Sequence, residues 1–278
     1  MTGRFEGKRA LVTGASRGIG AGLAQRLAAE GADVALVART LDKHKVLPGS
    51  LRETEDKLRR YGHNVAVVVG DVSDDDSRAT IVPAAVEQLG GPIDILVNNA
   101  AAAIMLPLDE IPARKQHLLY SANVIAPLDL AQDVVPGMRE KCEGWIVNIT
   151  STGARLHDGP PFNLGPQGSV MEVYGATKAA LNRITSGLAG DLHGTGIRVN
   201  AVGPRVAVLS EGAAENIGDL LDSGYFEPTE TIVEAAAALC AAPVDMTGRI
   251  VISGDLIEEL GLQVRALDGT EYSLPGTV

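Results

Sequence analysis

The chain has two cysteines in 278 residues, Cys142 and Cys240, too few for a disulfide framework. Neither stands at metal-ligand spacing with any of the five histidines, so no metal site is expected. Cys240 sits in an alanine-rich helical run and reads as a core filler. Positive charge is in deficit: 24 Lys and Arg against 35 Asp and Glu leave a net charge of −11. That balance argues against nucleic acid or an anionic membrane as partner, while leaving room for a local basic pocket. No apolar run reaches the roughly 18 residues of a membrane span. The opening Met1–Gly7 is polar, unlike a signal peptide. The default expectation is a soluble, cytoplasmic protein in a reducing compartment. No His/Asp pair or G-x-S-x-G elbow accompanies Ser151, and no glycine loop is closed by Gly-Lys-Ser/Thr, which disfavours a serine hydrolase and a Walker-type nucleotide site. Internal repeats and low-complexity segments are missing too.

What is present is enough for a core, with 45% hydrophobic residues, and it alternates. Short apolar or β-branched runs fall at Arg9–Val12, Val34–Val37, Val65–Val69, Ile95–Asn98, Trp145–Ile149, Ile197–Ala201 and Arg249–Ile252. Helical patterns such as Leu51–Tyr61, Ser77–Leu89 and Pro112–Arg139 separate most of them. Such alternation predicts an α/β fold: a Rossmann-type, doubly wound, seven-stranded parallel sheet with helices on both faces. No domain break is evident, so one domain is expected over 1–278, with 206–226 as a substrate-covering loop and 267–278 as a tail.

The stretch around which the rest is organised is Thr13-Gly14-Ala15-Ser16-Arg17-Gly18-Ile19-Gly20. It follows an apolar strand and precedes Leu23, Ala24, Leu27 and Ala28 at helical spacing. Strand, glycine turn and helix form the setting of a phosphate-binding turn. Gly14 permits the tight turn; Gly18 and Gly20, lacking Cβ atoms, allow close approach of a pyrophosphate and of the helix to the strand. The unsatisfied N–H groups near Ile19 suit an anion. The spacing is Gly-x-x-x-Gly-x-Gly rather than the general dinucleotide fingerprint. About 20 residues further, where an acidic residue would bind an NAD ribose, stand Ala38 and Arg39. Arg17, Arg39 and Ser16 are expected to converge on a 2′-phosphate, which points to NADP(H), with NAD(H) as the alternative. The polar stretch Thr40–Ser50 is longer than a tight connection needs and has no assigned role.

Further along, Asp71 and Val72 follow the third strand; Asp71 is either an adenine contact or a strand-end turn residue. Ser73 reads as the N-cap of the next helix, with Asp74–Asp76 as its solvated first turn. Asn98-Asn99-Ala100 closes the fourth strand, where asparagine side chains can tie loops together. Asn123, on an apolar helical stretch, is either buried with partners or solvent-facing. Ser151 follows the fifth strand. Tyr174 and Lys178 share a helical face, and a cation beside a phenol favours the phenolate, lowering its pKa from about 10.

Taken together, the glycine turn, Asn98-Asn99-Ala100, Ser151 and Tyr174-x-x-x-Lys178 resemble the short-chain dehydrogenase/reductase family over roughly residues 5–255. The resemblance implies that Ser151 binds the substrate oxygen, that Tyr174 exchanges a proton with it, and that Lys178 holds the cofactor ribose. It implies that Asn123 holds a water of the proton relay. It also implies cofactor contacts from Gly14, Ser16, Arg17, Gly18, Ile19, Gly20, Arg39, Asp71, Val72, Asn98 and Ala100, besides Tyr174 and Lys178. The substrate would be a small carbonyl or alcohol, and the assembly a homodimer or homotetramer. The chain departs from the family pattern at Ala101, where glycine is usual; at Pro204-Arg205; at Leu209, beside Ser210, where a hydroxyl is usual; and in a longer Thr152–Val173 segment with Pro160, Pro161 and Pro166. Arg205 is either a specificity residue for an acidic group or a loop charge. The loop pattern is also similar to the hydroxysteroid-dehydrogenase-like members. A cofactor-binding protein without turnover, and an epimerase or dehydratase on the same fold, are the rival readings.

Overall fold

A computed structural model describes residues 3–43, 47–164, 170–208 and 226–272. Seven parallel strands form one sheet in the order β3-β2-β1-β4-β5-β6-β9. They are β1 (Arg9–Thr13), β2 (Asp33–Ala38), β3 (Val65–Val69), β4 (Ile95–Asn98), β5 (Gly144–Ile149), β6 (Ile197–Gly203) and β9 (Ile250–Ile252). Two short strands, β7 (Ala207–Val208) and β8 (Phe226–Glu227), pair apart from the sheet and were not foreseen. Central strands such as β4 and β5 are buried along their whole length, as strands covered on both faces must be. Successive side chains leave opposite faces: Val12 joins one core cluster and Leu11 the other.

One face is covered by α1 (Gly18–Ala29), α2 (Leu51–Arg59), α7 (Thr229–Leu239) and α8 (Ser253–Leu260), through Leu23, Leu58, Val233 and Leu256. The other is covered by α3 (Asp75–Leu89), α5 (Ala126–Lys141) and α6 (Glu172–Asp191), through Ile81, Val134 and Ala189. The fold is therefore the doubly wound α/β sheet expected from the alternation. Between β1 and β4 the order of strand addition reverses, and a crevice opens at the carboxyl edge.

Two local expectations change. The run 112–139 is not one regular helix: α4 (Ala113–Tyr120) leads into a π turn at Ser121–Ile125 and then α5. The N-cap of α3 is Asp74, which accepts from the Ser77 amide at 2.8 Å. Ser73 instead donates to the Asp71 carboxylate at 2.6 Å. Both residue types cap helices well, and the side chain that reaches the third amide is settled by where the turn begins.

Candidate active site

A cavity of about 560 Å³ follows the carboxyl edge of the sheet, from the glycine turn to the N-terminal part of α6. That size suits a small-molecule site. Its first wall is the turn between β1 and α1. Gly14 adopts φ +68°, and a Cβ there would lie 2.7 Å from Nδ2 of Asn99. Asn99 reaches across from the end of β4 and donates to the carbonyls of Thr13 (2.8 Å) and Gly14 (3.4 Å). The Thr13 hydroxyl accepts from the amides of Asn99 and Ala100, both at 3.0 Å. The glycine turn is thus stitched to β4. Helix α1 opens without a side-chain cap and without an acid in its first turn, so its dipole is left for an anion.

Gly14, Ser16, Arg17, Gly18 and Ile19 lie on the cavity wall. Gly20 is placed behind it, where a Cβ would collide with Asn99 and the Gly14 carbonyl. Asn98 is also off the wall. It is 3% exposed, pairs in register with Asn148, and donates to that side chain at 2.9 Å. Its side chain is engaged inside the sheet. Adjacent strand residues diverge, so Asn98 stays in the sheet and Asn99 is the first to leave it.

At one end of the cavity stand Arg17, Arg39, Asp71 and Val72. Arg39 is mostly exposed and meets Asp71 at 3.5 Å. Arg17 does not point to the same spot; it donates to the carbonyls of Pro48 (2.8 Å) and Gly49 (2.9 Å). Burial alone would raise the Asp71 pKa, but hydrogen bonds from Ser73 and the charge of Arg39 hold it below the usual range. That leaves a carboxylate acceptor at the mouth of the crevice.

The other end carries the chemistry. Ser151 leaves β5, caps the short 3₁₀ turn Thr152–Ala154 and accepts from the Gly153 amide at 3.1 Å. Helix α6 crosses so close that a Cβ on Gly175 would strike the Gly153 carbonyl. This approach brings the Tyr174 ring and the Ser151 hydroxyl to the same spot beside Gly153. Lys178, one helical turn on, places Nζ 6.0 Å from the Tyr174 ring centre and 2.8 Å from the Ile149 carbonyl. Ser151, Tyr174, Lys178 and Ala100 all line the cavity.

The electrostatics differ from the expectation that Lys178 lowers the Tyr174 pKa. Burial raises it, and the Ser151 hydrogen bond opposes the rise only in part. Lys178 is itself pushed down to about 8 by burial. A buried ammonium satisfied by a backbone carbonyl competes poorly for the phenol, and desolvation disfavours both charged forms.

Asn123 is buried with partners. Its Oδ1 accepts from the Ala102 amide at 2.8 Å, and Nδ2 donates to the Ala102 carbonyl (2.9 Å) and the Thr177 hydroxyl (3.0 Å). The side chain is spent on fastening the π turn to α6 and to the loop that follows β4; Ala122 forms the wall at this point. Arg205 lies outside the cavity, with Nη2 2.7 Å from Asp255 and 3.0 Å from Glu258. Its partners lie some 50 residues away, where no local pattern reveals them. Sequence reasoning missed Leu47, Met105, Leu118 and Met171 on the wall. They come from separate segments and carry no motif. The changed positions Leu209 and Ser210, most of the 206–226 loop, residues 165–169 of the longer segment and the end of the tail lie outside the described residues. Among the described residues no helix is long and apolar enough to cross a membrane.

The walls fit a nicotinamide dinucleotide: an uncapped helix start beside a glycine turn, cations and a carboxylate at one end, and a hydroxyl, phenol and amine at the other.

Residues 8–216 match the short chain dehydrogenase family. Among curated proteins, hydroxysteroid dehydrogenase-like protein 2 of Bos taurus is 28% identical over 263 residues, and that of Danio rerio 30%. Each match covers 94% of this chain, which spans 60% of the length of those relatives. Among solved structures, a short chain dehydrogenase of Mycobacterium thermoresistibile superposes with a TM-score of 0.79 at 28% identity, covering 98% of this chain and 95% of that one. A 3-oxoacyl (acyl-carrier-protein) reductase of Agrobacterium tumefaciens with NADP bound gives 0.75 at 28% identity, covering 89% and 93%. With its glycine turn, stitched sheet edge and buried lysine on one cavity, the chain belongs to the short chain dehydrogenase family.

Proposed function

We propose that this chain is an NADP(H)-dependent oxidoreductase that interconverts a carbonyl and an alcohol, with Tyr174 as the acid and base. The observation that carries the reading is the gathering of Ser151, Tyr174 and buried Lys178 on the wall of the same cavity as the glycine turn. The bound nicotinamide supplies or takes up the hydride. Ser151 would hold the substrate oxygen while Tyr174 gives it a proton in reduction or takes one in oxidation. A raised Tyr174 pKa keeps the phenol protonated at neutral pH, which favours the reducing direction. The cavity wall supports an uncharged, largely apolar substrate: Met105, Leu118, Met171, Val206 and Val208 are part of it, and Arg205 is engaged in its ion pairs. The NADP-bound reductase among the structural neighbours supports the cofactor assignment. A homodimer or homotetramer in a reducing, cytoplasmic setting completes the proposal; Cys142 and Cys240 are unpaired.

The deciding experiment is titration with NADPH and NADH, followed by a carbonyl screen with wild type and Tyr174→Phe. Tighter NADPH binding, turnover by wild type and loss of turnover with intact binding in the variant are expected. Equal or tighter NADH binding overturns the cofactor preference. Binding without turnover, unaffected by Tyr174→Phe, makes the chain a cofactor-binding protein instead.

A further inference from the structure

The Leu47–Gly49 segment, for which the sequence offers no role, lies against the glycine turn. Gly49 has φ +90°, and a Cβ there would lie 2.6 Å from the Ser16 carbonyl oxygen and 2.9 Å from the Arg17 Cβ. Only glycine meets both the backbone angle and the space. Arg17 closes the contact from the other side, with Nε to the Pro48 carbonyl and Nη2 to the Gly49 carbonyl. A planar guanidinium is suited to two successive carbonyls in a way that an ammonium is not. The far end of the segment is fixed as well. The Leu51 amide donates to Thr40 (3.0 Å), the Arg52 amide to Leu41 (3.1 Å), and buried Ser50 caps α2. Leu47 and Thr40 thereby become part of the cavity wall, next to Arg39.

Arg39 is in the opposite situation. Its side chain is 69% exposed, and its partner Asp71 is 3.5 Å away and already bonded twice by Ser73. Leaving that pair costs little. Moving Arg17 would break two hydrogen bonds from a charged donor and release the wall.

We propose that Arg17 is a positioning residue that holds the Leu47–Gly49 wall for any dinucleotide, and that discrimination by the 2′-phosphate falls on Arg39. The inference rests on the NADP(H) reading for its second half and stands apart from it for the first. Leu47 contributes surface common to both cofactors, so loss of the wall weakens both alike.

The test is the dissociation constant of NADPH and of NADH for wild type, Arg17→Ala, Arg17→Lys, Gly49→Ala and Arg39→Ala. Thermal unfolding confirms that each variant is folded. Arg39→Ala should lower the NADPH preference by roughly tenfold or more, the loss of a charge-assisted contact, and leave NADH binding nearly unchanged. Arg17→Ala should weaken both cofactors by a common factor and keep their ratio. Gly49→Ala should do the same with the guanidinium intact, and Arg17→Lys should fail to rescue. Hydrogen exchange of the Leu51 and Arg52 amides, measured without cofactor, should quicken in Arg17→Ala and Gly49→Ala. Collapse of the NADPH preference in Arg17→Ala, with rescue by lysine and no effect of Gly49→Ala, overturns the proposal. Unchanged amide exchange overturns the wall itself. A wild type that prefers NADH defeats the NADP(H) reading and the Arg39 half, while the exchange data and the common factor still decide Arg17.

Discussion

Lys178 donates to the Ile149 carbonyl over 2.8 Å, and only 3% of the residue is exposed to solvent. A single backbone acceptor replaces the hydration of an ammonium at the end of β5. Burial consequently draws its pKa from 10.5 to about 8.

This has a consequence for stability. The folded chain binds fewer protons at Lys178 than the unfolded chain between pH 8 and 10.5. Stability from this group therefore rises with pH across that window, and the cost of burying the charge is full and constant below it. Lys178→Met should be more stable than wild type at pH 7 without cofactor, by about 3 kcal/mol at most. The gap in Tm should close as the pH rises from 8 to 10.5, and turnover should be lost. A gap that stays constant with pH would show that packing, rather than charge burial, sets it.

On the proposed mechanism, the neighbourhood of Ser151 and Tyr174 should set the pH profile. If Tyr174 is the base of the proposed alcohol oxidation, the rate should rise through its elevated pKa. Ser151 is the group that opposes the elevation by burial. Ser151→Ala should move the rising limb to higher pH and cut kcat by about 10²–10⁴. A limb that moves down, or does not move, removes Tyr174 from the role of base.

Arg26 is fully buried between α1 and α7. It is 2.5 Å from Glu234, and its Nη2 donates to the carbonyls of Arg265 (2.7 Å) and Ala266 (2.6 Å). Glu234→Ala removes the nearer of the two carboxylates and leaves Glu30 at 3.6 Å, and it should cost up to about 3–5 kcal/mol. That corresponds to a fall in Tm on the order of 10 °C. The double variant Arg26→Met, Glu234→Leu should recover most of the loss, as calorimetry of the two proteins can check.

Cys142 ends α5 with φ 51°, the only described non-glycine residue in the left-handed region. Cys142→Gly should stabilise the fold by up to about 1 kcal/mol by removing the strain of its Cβ. The denaturation midpoint in urea should move up at constant m.

Much of the fold was legible because it rests on short-range periodicity. Apolar runs of strand length alternate with helical patterns, and such a chain buries both faces of its strands only in a parallel, doubly wound sheet. The glycine turn and the Tyr174–Lys178 pair could be read for the same reason: each is a local arrangement, five to eight residues long, on a predictable element, whereas Ser151 stood out only through the resemblance they carry together. Whether a polar side chain meets the cavity or the interior was not local. Asn98 and Asn99 are neighbours in sequence, yet the pairing of β4 with β5 sends one into the sheet and the other to the glycine turn.

By itself, then, the sequence determined the order of elements and the chemical groups at the sheet's carboxyl edge, because backbone periodicity and turn chemistry act over a few residues. The tertiary structure alone decided the partners and the charge states. Arg17 finds Pro48 and Gly49 some thirty residues away, and Arg205 finds Asp255 and Glu258 some fifty away. The apolar wall is assembled from separate segments, and Tyr174 titrates upward because of what covers it. Desolvation depends on all the atoms around a group, and only the folded chain brings those atoms together.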